Sequence, residues 1–171
     1  MRGASIVARI LKQEGVDHLF CFPVNPLIDA AAELGIRPIM PCTERTVVGM
    51  ADGYSRVNNG KRIGVCAVQM GPGIENTFGG VAQTYADSSP VLVFPSGPPQ
   101  SRQSSLPNFD PVPNYQHVTK WVARINQPNR IPEFLRRAFT YLRMGRPGPP
   151  RIIALVSEAG MSMLAIESPN S

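Results

Sequence analysis

The chain lacks the features that define several functional classes. No apolar run approaches the roughly 18 residues of a membrane-spanning helix, so no membrane association is expected. Its three cysteines (Cys21, Cys42 and Cys66) share no metal-ligand spacing and cannot all pair with one another. A reducing compartment, the cytoplasm, is the simplest location for such a chain.

Catalytic motifs of the common hydrolases are also missing. The only histidines are His18 and His117, and neither belongs to a His-Glu-x-x-His motif. There is no Walker sequence and no Gly-x-Ser-x-Gly elbow. These absences argue against a zinc protease, a P-loop nucleotidase and a serine hydrolase, and no residue of the chain is predicted to bind a metal.

The composition is that of one globular domain. Of 171 residues, 43% are hydrophobic and 17% are charged, which is enough apolar material for a buried core. The net charge of +5 comes largely from arginines in the last third, which could form a nucleic-acid patch. Because Arg136, Arg137 and Arg143 alternate with apolar residues, a solvated helix face is favoured, and no nucleic-acid partner is expected.

Short apolar segments alternate with helical patterns along the chain. Strands are predicted at 18–22, 37–40, 62–69, 91–94, 118–124 and 151–156. Helices are predicted around 6–14 and at 26–34, 44–57, 74–87 and 131–144, with an extended proline-rich loop at 96–117. This alternation predicts an α/β domain over residues 1–156, three-layered α/β/α with a six-stranded, mainly parallel sheet. Residues 157–171 have a weak pattern and are predicted to fray.

Three segments would lie at the carboxyl ends of strands, where open α/β sheets bind ligands. They are the turn Phe22 to Asn25, the start of a helix at Glu44, and the segment from Gln69 to Asn76. From these residues alone, two interpretations of Glu44 stay open. It is either a surface carboxylate at a helix start or a cleft carboxylate that shares a proton with a ligand nitrogen.

Taken together, these segments resemble a known family. The chain resembles the N-terminal, pyrimidine-binding domain of thiamine diphosphate-dependent enzymes, in the group of acetolactate synthases and 2-oxo acid decarboxylases. The resemblance covers about residues 3 to 156. It rests on residues 11–20, Glu44 with 51–56, 71–73 with Asn76, 86–91 and 145–149.

The resemblance implies a cofactor and roles for particular residues. Glu44 would be the catalytic residue, hydrogen-bonded to N1′ of the cofactor's aminopyrimidine. The remaining residues implied to contact thiamine diphosphate are Pro23, Val24, Asn25, Gly71, Pro72 and Asn76. The substrate would be a small 2-oxo acid. Acetolactate synthases carry a Phe-Gln pair in the long loop, and the nearest match here is Phe109-Asp110, so decarboxylation and carboligation both remain open.

Half of the family's active site is missing from this sequence. The family binds the diphosphate and Mg²⁺ through a separate domain with a Gly-Asp-Gly motif, which does not occur here. Mg²⁺ would therefore come with a missing domain or a partner, in a homodimer or a hetero-oligomer. The chain could be a small subunit, a fragment or a truncated and inactive product. The alternative is a non-catalytic module that dimerises through apolar faces around Val47, Val48 and Phe78.

Overall fold

A computed structural model describes residues 3–22, 26–97, 109–144 and 161–166, the last range as backbone only. Six helices and six strands lie in these ranges. The helices are α1 (Gly3–Gln13), α2 (Pro26–Glu33), α3 (Glu44–Val57), α4 (Pro72–Ala86), α5 (Pro111–Tyr115) and α6 (Ile131–Arg143). The strands are β1 (His18–Cys21), β2 (Arg37–Ile39), β3 (Gly64–Val68), β4 (Val91–Pro95), β5 (Lys120–Ile125) and β6 (Met161–Ile166). None of the helices in these ranges is long and apolar enough to cross a membrane.

Four strands form one parallel sheet in the order β2-β1-β3-β4. β1 pairs with β2 on one side and with β3 on the other, where Phe20 lies opposite Cys66. The chain therefore winds outward from β1 in one direction and from β3 in the other. Such a reversal opens a crevice at the carboxyl ends of the two central strands.

Helices cover both faces of this sheet, as the predicted three layers require. Successive strand residues point to opposite faces, so Leu19 packs into one core and Phe20 into the other. The first core is completed by α1, α2 and α6, and the second by α3, α4 and Tyr115 of α5. All five residues of β3 are buried, which agrees with its near-continuous apolar sequence.

The predicted single sheet of six strands is wrong for the part of the chain that the structure describes. β5 and β6 form a separate antiparallel pair, in which Lys120 lies opposite Ile166. β6 lies inside residues 157–171, for which fraying was expected. The reason is long-range: an edge strand leaves backbone groups unpaired, and a distant segment satisfies them. The strand expected at 151–156 lies outside the described residues.

The long loop is also less extended than predicted. Its first part, 98–108, lies outside the described residues, but its last part folds into α5 and a short 3₁₀ turn, Gln116–Val118. Asp110 caps α5 by accepting a hydrogen bond from the backbone N–H of Val112 at 3.0 Å. Tyr115 is fully buried and donates from its hydroxyl to the carbonyl of Ile74 at 2.5 Å. Pro111 and Pro113, two of the prolines that suggested extension, instead occupy the first helical turn, where a missing N–H costs nothing.

Candidate functional site

Glu44 is the first residue of α3, as predicted. Thr43 caps the helix, and its hydroxyl oxygen accepts a hydrogen bond from the backbone N–H of Thr46 at 3.3 Å. Glu44 is nevertheless only 6% exposed. The interpretation of Glu44 as a surface carboxylate is therefore wrong, and its carboxylate lies inside the fold.

The first turn of α4 closes around this carboxylate. Asn76 donates from Nδ2 to Oε2 of Glu44 at 3.3 Å. α4 begins at Pro72, and the residue before it, Gly71, has a φ of 64° that favours glycine. Gln69, Met70 and Gly71 connect β3 to this helix, and Asn76 in its first turns extends toward Glu44 of α3.

Gly73 leaves room for the side chain of Gln69 at the site. A Cβ atom added there would lie 3.5 Å from Oε1 of Glu44 and 2.5 Å from Cγ of Gln69. Since real Cβ atoms do not come within 3.0 Å of another heavy atom, any larger residue at 73 would displace Gln69. The side chains of Glu44 and Gln69 therefore converge above the backbone of Gly73.

The far end of α3 is fixed by buried hydrogen bonds. Ser55 is fully buried, donates from Oγ to the carbonyl of Pro90 at 2.5 Å, and accepts from the N–H of Gly64 at 2.7 Å. A Cβ at Gly64 would lie 2.0 Å from the carbonyl oxygen of Ala51. α3 therefore lies directly against the start of β3, and this contact helps to fix the direction in which the helix carries Glu44.

A second polar cluster lies at the opposite end of β1. Asp17 accepts hydrogen bonds from the Tyr54 hydroxyl at 2.6 Å and from Nδ1 of His18 at 2.7 Å, and it also pairs with Arg62. Burial alone would raise the pKa of Asp17. The hydrogen bonds from Tyr54 and His18, with the charges of His18 and Arg62, outweigh it and lower that pKa. This cluster ties the last turn of α3 to the beginning of β1.

The residues predicted for the site divide into two groups. Glu44, Gly71, Pro72 and Asn76 lie together where α3 and α4 begin. The predicted turn of Pro23, Val24 and Asn25 lies outside the described residues. In the described part of the chain, no group of three His, Cys, Asp or Glu side chains is placed to hold a metal ion.

Gln69 belongs to a segment that the sequence predicted to lie at the site, but it was given no role of its own. Its position directly after the buried strand β3 is the sequence signal that placed it there. The apolar surface proposed for dimerisation is also corrected. Val47 and Val48 are fully buried in the core between α3, α4 and the sheet, so they are not available to a second molecule. Phe78 is 39% exposed.

Comparison with known proteins identifies the class of this domain. Residues 1–126 match the family described as "Thiamine pyrophosphate enzyme, N-terminal TPP binding domain". The match covers well over half of the chain, so the chain belongs to this family. The resemblance seen in the sequence is confirmed.

Individual relatives are longer enzymes. The chain is 33% identical over 157 residues to a probable acetolactate synthase large subunit of Methanocaldococcus jannaschii, covering 89% of this chain and 26% of the relative. It is 35% identical over 156 residues to the acetolactate synthase large subunit of Lactococcus lactis, covering 88% of this chain and 27% of the relative. It is 31% identical over 152 residues to 2-hydroxyacyl-CoA lyase 2 of Caenorhabditis elegans, covering 86% of this chain and 23% of the relative. The chain spans about a quarter of the length of these curated relatives.

Proposed function

We propose that this chain supplies the pyrimidine-binding half of a thiamine diphosphate site in an enzyme that decarboxylates or joins 2-oxo acids. The observation that carries the proposal is the buried carboxylate of Glu44, held at the start of α3 and bonded to Asn76 across the α3–α4 contact. The family match independently supports thiamine diphosphate as the ligand.

The residues present fit an aminopyrimidine ring. Glu44 offers a carboxylate that accepts from, or shares a proton with, a ring nitrogen. Gly71 leaves the backbone before α4 open to close approach, because a Cβ added there would meet nothing within 4 Å. By the family resemblance, Pro23, Val24 and Asn25 would contact the ring from the turn after β1. When bound, thiamine diphosphate supplies a thiazolium carbon that adds to 2-oxo acids and a ring that accepts the electrons released on decarboxylation.

The protein side of the reaction depends on proton control at Glu44. Asn76 donates to Oε2, and each carboxylate oxygen accepts more than one hydrogen bond, so the contact leaves acceptor capacity for a ligand. Burial keeps water from competing for the carboxylate. The carboxylate of Glu44 is thereby kept beside the first turn of α4, where its oxygens can hold or move a proton.

The diphosphate and Mg²⁺ are assigned to a partner domain or a second chain. The relatives are about four times as long as the segment they share with this chain, which leaves room for such a domain in each of them. We propose that the chain functions in a homodimer or hetero-oligomer, in the cytoplasm, and turns over substrate only with that partner. The competing proposal is a non-catalytic dimerisation module. It is weakened by the burial of Val47 and Val48.

Calorimetric titration with thiamine diphosphate and Mg²⁺ tests this function. The chain is titrated alone and after addition of a candidate diphosphate-binding chain. Binding that appears with the partner supports the proposal, and the turnover of the reconstituted enzyme should be lost in Glu44→Gln, because glutamine keeps the shape but cannot exchange the proton. Glu75→Gln, an exposed carboxylate on the same turn of α4, is the matched control and should bind like the wild type. If thiamine diphosphate binds under neither condition, the non-catalytic dimerisation module becomes the better description of the chain.

A further inference from the structure

Gln69 lies beside the carboxylate oxygen that Asn76 does not contact. Asn76 donates to Oε2 of Glu44, whereas the position above Gly73 is shared by Oε1 and the Gln69 methylene. Gln69 directly follows β3, so its backbone is fixed by the central strand of the sheet. The Gln69 methylene therefore lies at the Oε1 side of Glu44, whereas the Asn76 amide meets Oε2 from the first turn of α4.

We propose that Gln69 is a second positioning residue for Glu44, which donates a hydrogen bond from its carboxamide to Oε1. No hydrogen bond joins the two side chains among the described contacts of this structure. The carboxamide carbon is one bond beyond Cγ, so rotation of the last two torsions of Gln69 sweeps the amide through the space next to Oε1. The contact deepens the function proposed above and rests on it, because it matters to catalysis only if Glu44 does.

The physical reason for a second donor is the freedom that a single hydrogen bond leaves. With one contact at Oε2, the carboxylate of Glu44 still rotates about its terminal torsion, which is broad for glutamate. A donor at Oε1 would prevent that rotation. It would fix the plane of the Glu44 carboxylate, and so the direction from which the carboxylate contacts a ligand nitrogen. A hydrogen bond to a charged group is stronger than one between neutral groups, so the effect on ligand binding should be measurable.

The identity of residue 73 supports the pairing. Gln69 can lie against the α4 turn only because residue 73 lacks a Cβ, which would otherwise come within 2.5 Å of Gln69 Cγ. Glycine at this position thus makes the space that Gln69 fills, next to the one buried carboxylate of the site. The charged neighbours in the chain, Arg45 after Glu44 and Glu75 before Asn76, are both exposed.

Nuclear magnetic resonance on the full chain tests the contact without any cofactor. The side-chain amide signals of Gln69 and Asn76 are followed while pH is varied through the range in which carboxylates titrate. We expect both to move together in the wild type and in Glu75→Gln, and both to stop moving in Glu44→Gln. A Gln69 signal that stays constant while that of Asn76 moves would overturn the proposal. The signal of Gln83, exposed on α4, is the internal reference.

Calorimetry on the complete enzyme tests the consequence. Gln69→Met keeps the methylene that packs on Gly73 but removes the amide, so the fold should be retained. We expect thiamine diphosphate to bind about five-fold more weakly, the loss of one ordinary hydrogen bond, whereas Gln83→Met should bind as the wild type does. Unchanged affinity in Gln69→Met would count against the positioning role. If the wild-type enzyme does not bind thiamine diphosphate, the proposed function fails, and the amide titration still decides whether Gln69 holds Glu44.

Discussion

Replacing Ser55 by alanine should show how strongly α3 depends on its buried anchor. The Ser55 hydroxyl satisfies two backbone groups at once, the N–H of Gly64 and the carbonyl of Pro90, and the side chain is 0% exposed. In Ser55→Ala both groups remain buried without this partner. Each such loss costs about 1–3 kcal/mol, and alanine returns up to roughly 0.5 kcal/mol through its higher helix propensity.

The net loss expected for Ser55→Ala is therefore about 1.5–5.5 kcal/mol. That is a large share of the roughly 5–15 kcal/mol by which domains are stable. Equilibrium unfolding in urea, followed by circular dichroism, measures it as a lower midpoint at unchanged slope. Ser5→Ala on the partly exposed surface of α1 is the control and should stay within about 0.5 kcal/mol of the wild type. A loss below about 1 kcal/mol in Ser55→Ala would refute the reasoning, since it would mean that both backbone groups find other partners.

Gly64→Ala should lower the free energy of unfolding by about 3 kcal/mol or more, because the new Cβ would lie 2.0 Å from the backbone of Ala51. In Gly53→Ala on α3 the new Cβ meets nothing within 4 Å, so this variant should be more stable by about 0.5–1 kcal/mol. Thermal melts of both variants compare them directly, and equal melting temperatures would contradict the packing argument. The pKa of Asp17 is lowered in the fold from 3.8, so its stabilisation is complete above that value and is lost as pH falls through the folded pKa. The stability difference between wild type and Asp17→Asn should accordingly shrink as pH falls from about 5 to 3, and a constant difference would argue against the cluster. A thiol reagent should modify Cys42 first in the folded chain, because Cys42 is exposed while burial raises the pKa of the two strand thiols; rapid loss of three thiols would contradict this.

Local signals in the sequence were sufficient for the elements that carry Glu44. Thr43 before a stripe of apolar residues predicts the start of α3, and the structure confirms its bounds as Glu44–Val57. The continuous apolar run ending at Val68 predicts a strand covered on both faces, and β3 is buried throughout. These features depend on neighbours within one or two turns of the chain, which is why pattern and capping chemistry reveal them.

Features that depend on distant partners were not visible in the sequence. β6 forms by pairing with β5, and no local pattern in residues 161–166 predicts that pairing. α5 was missed because its prolines are equally consistent with an extended loop until Tyr115 is known to be buried against Ile74. The place of Gln69 beside Glu44 depends on how its side chain packs over Gly73, which only the packed fold defines.

The order of the strands has a consequence for the rate at which the chain reaches its native state. All pairings in the four-stranded sheet are parallel, so no pair of neighbouring strands is joined by a tight hairpin. The chain therefore loses conformational entropy in closing long loops before the strand contacts lower the free energy. Glu44 belongs to the crossover that leaves the edge strand β2 and returns past β1 to β3. Its carboxylate cannot meet Asn76 until β3 has docked and α4 has started. We therefore expect folding on a timescale of about milliseconds or slower, with the α3–α4 junction among the last regions to become ordered.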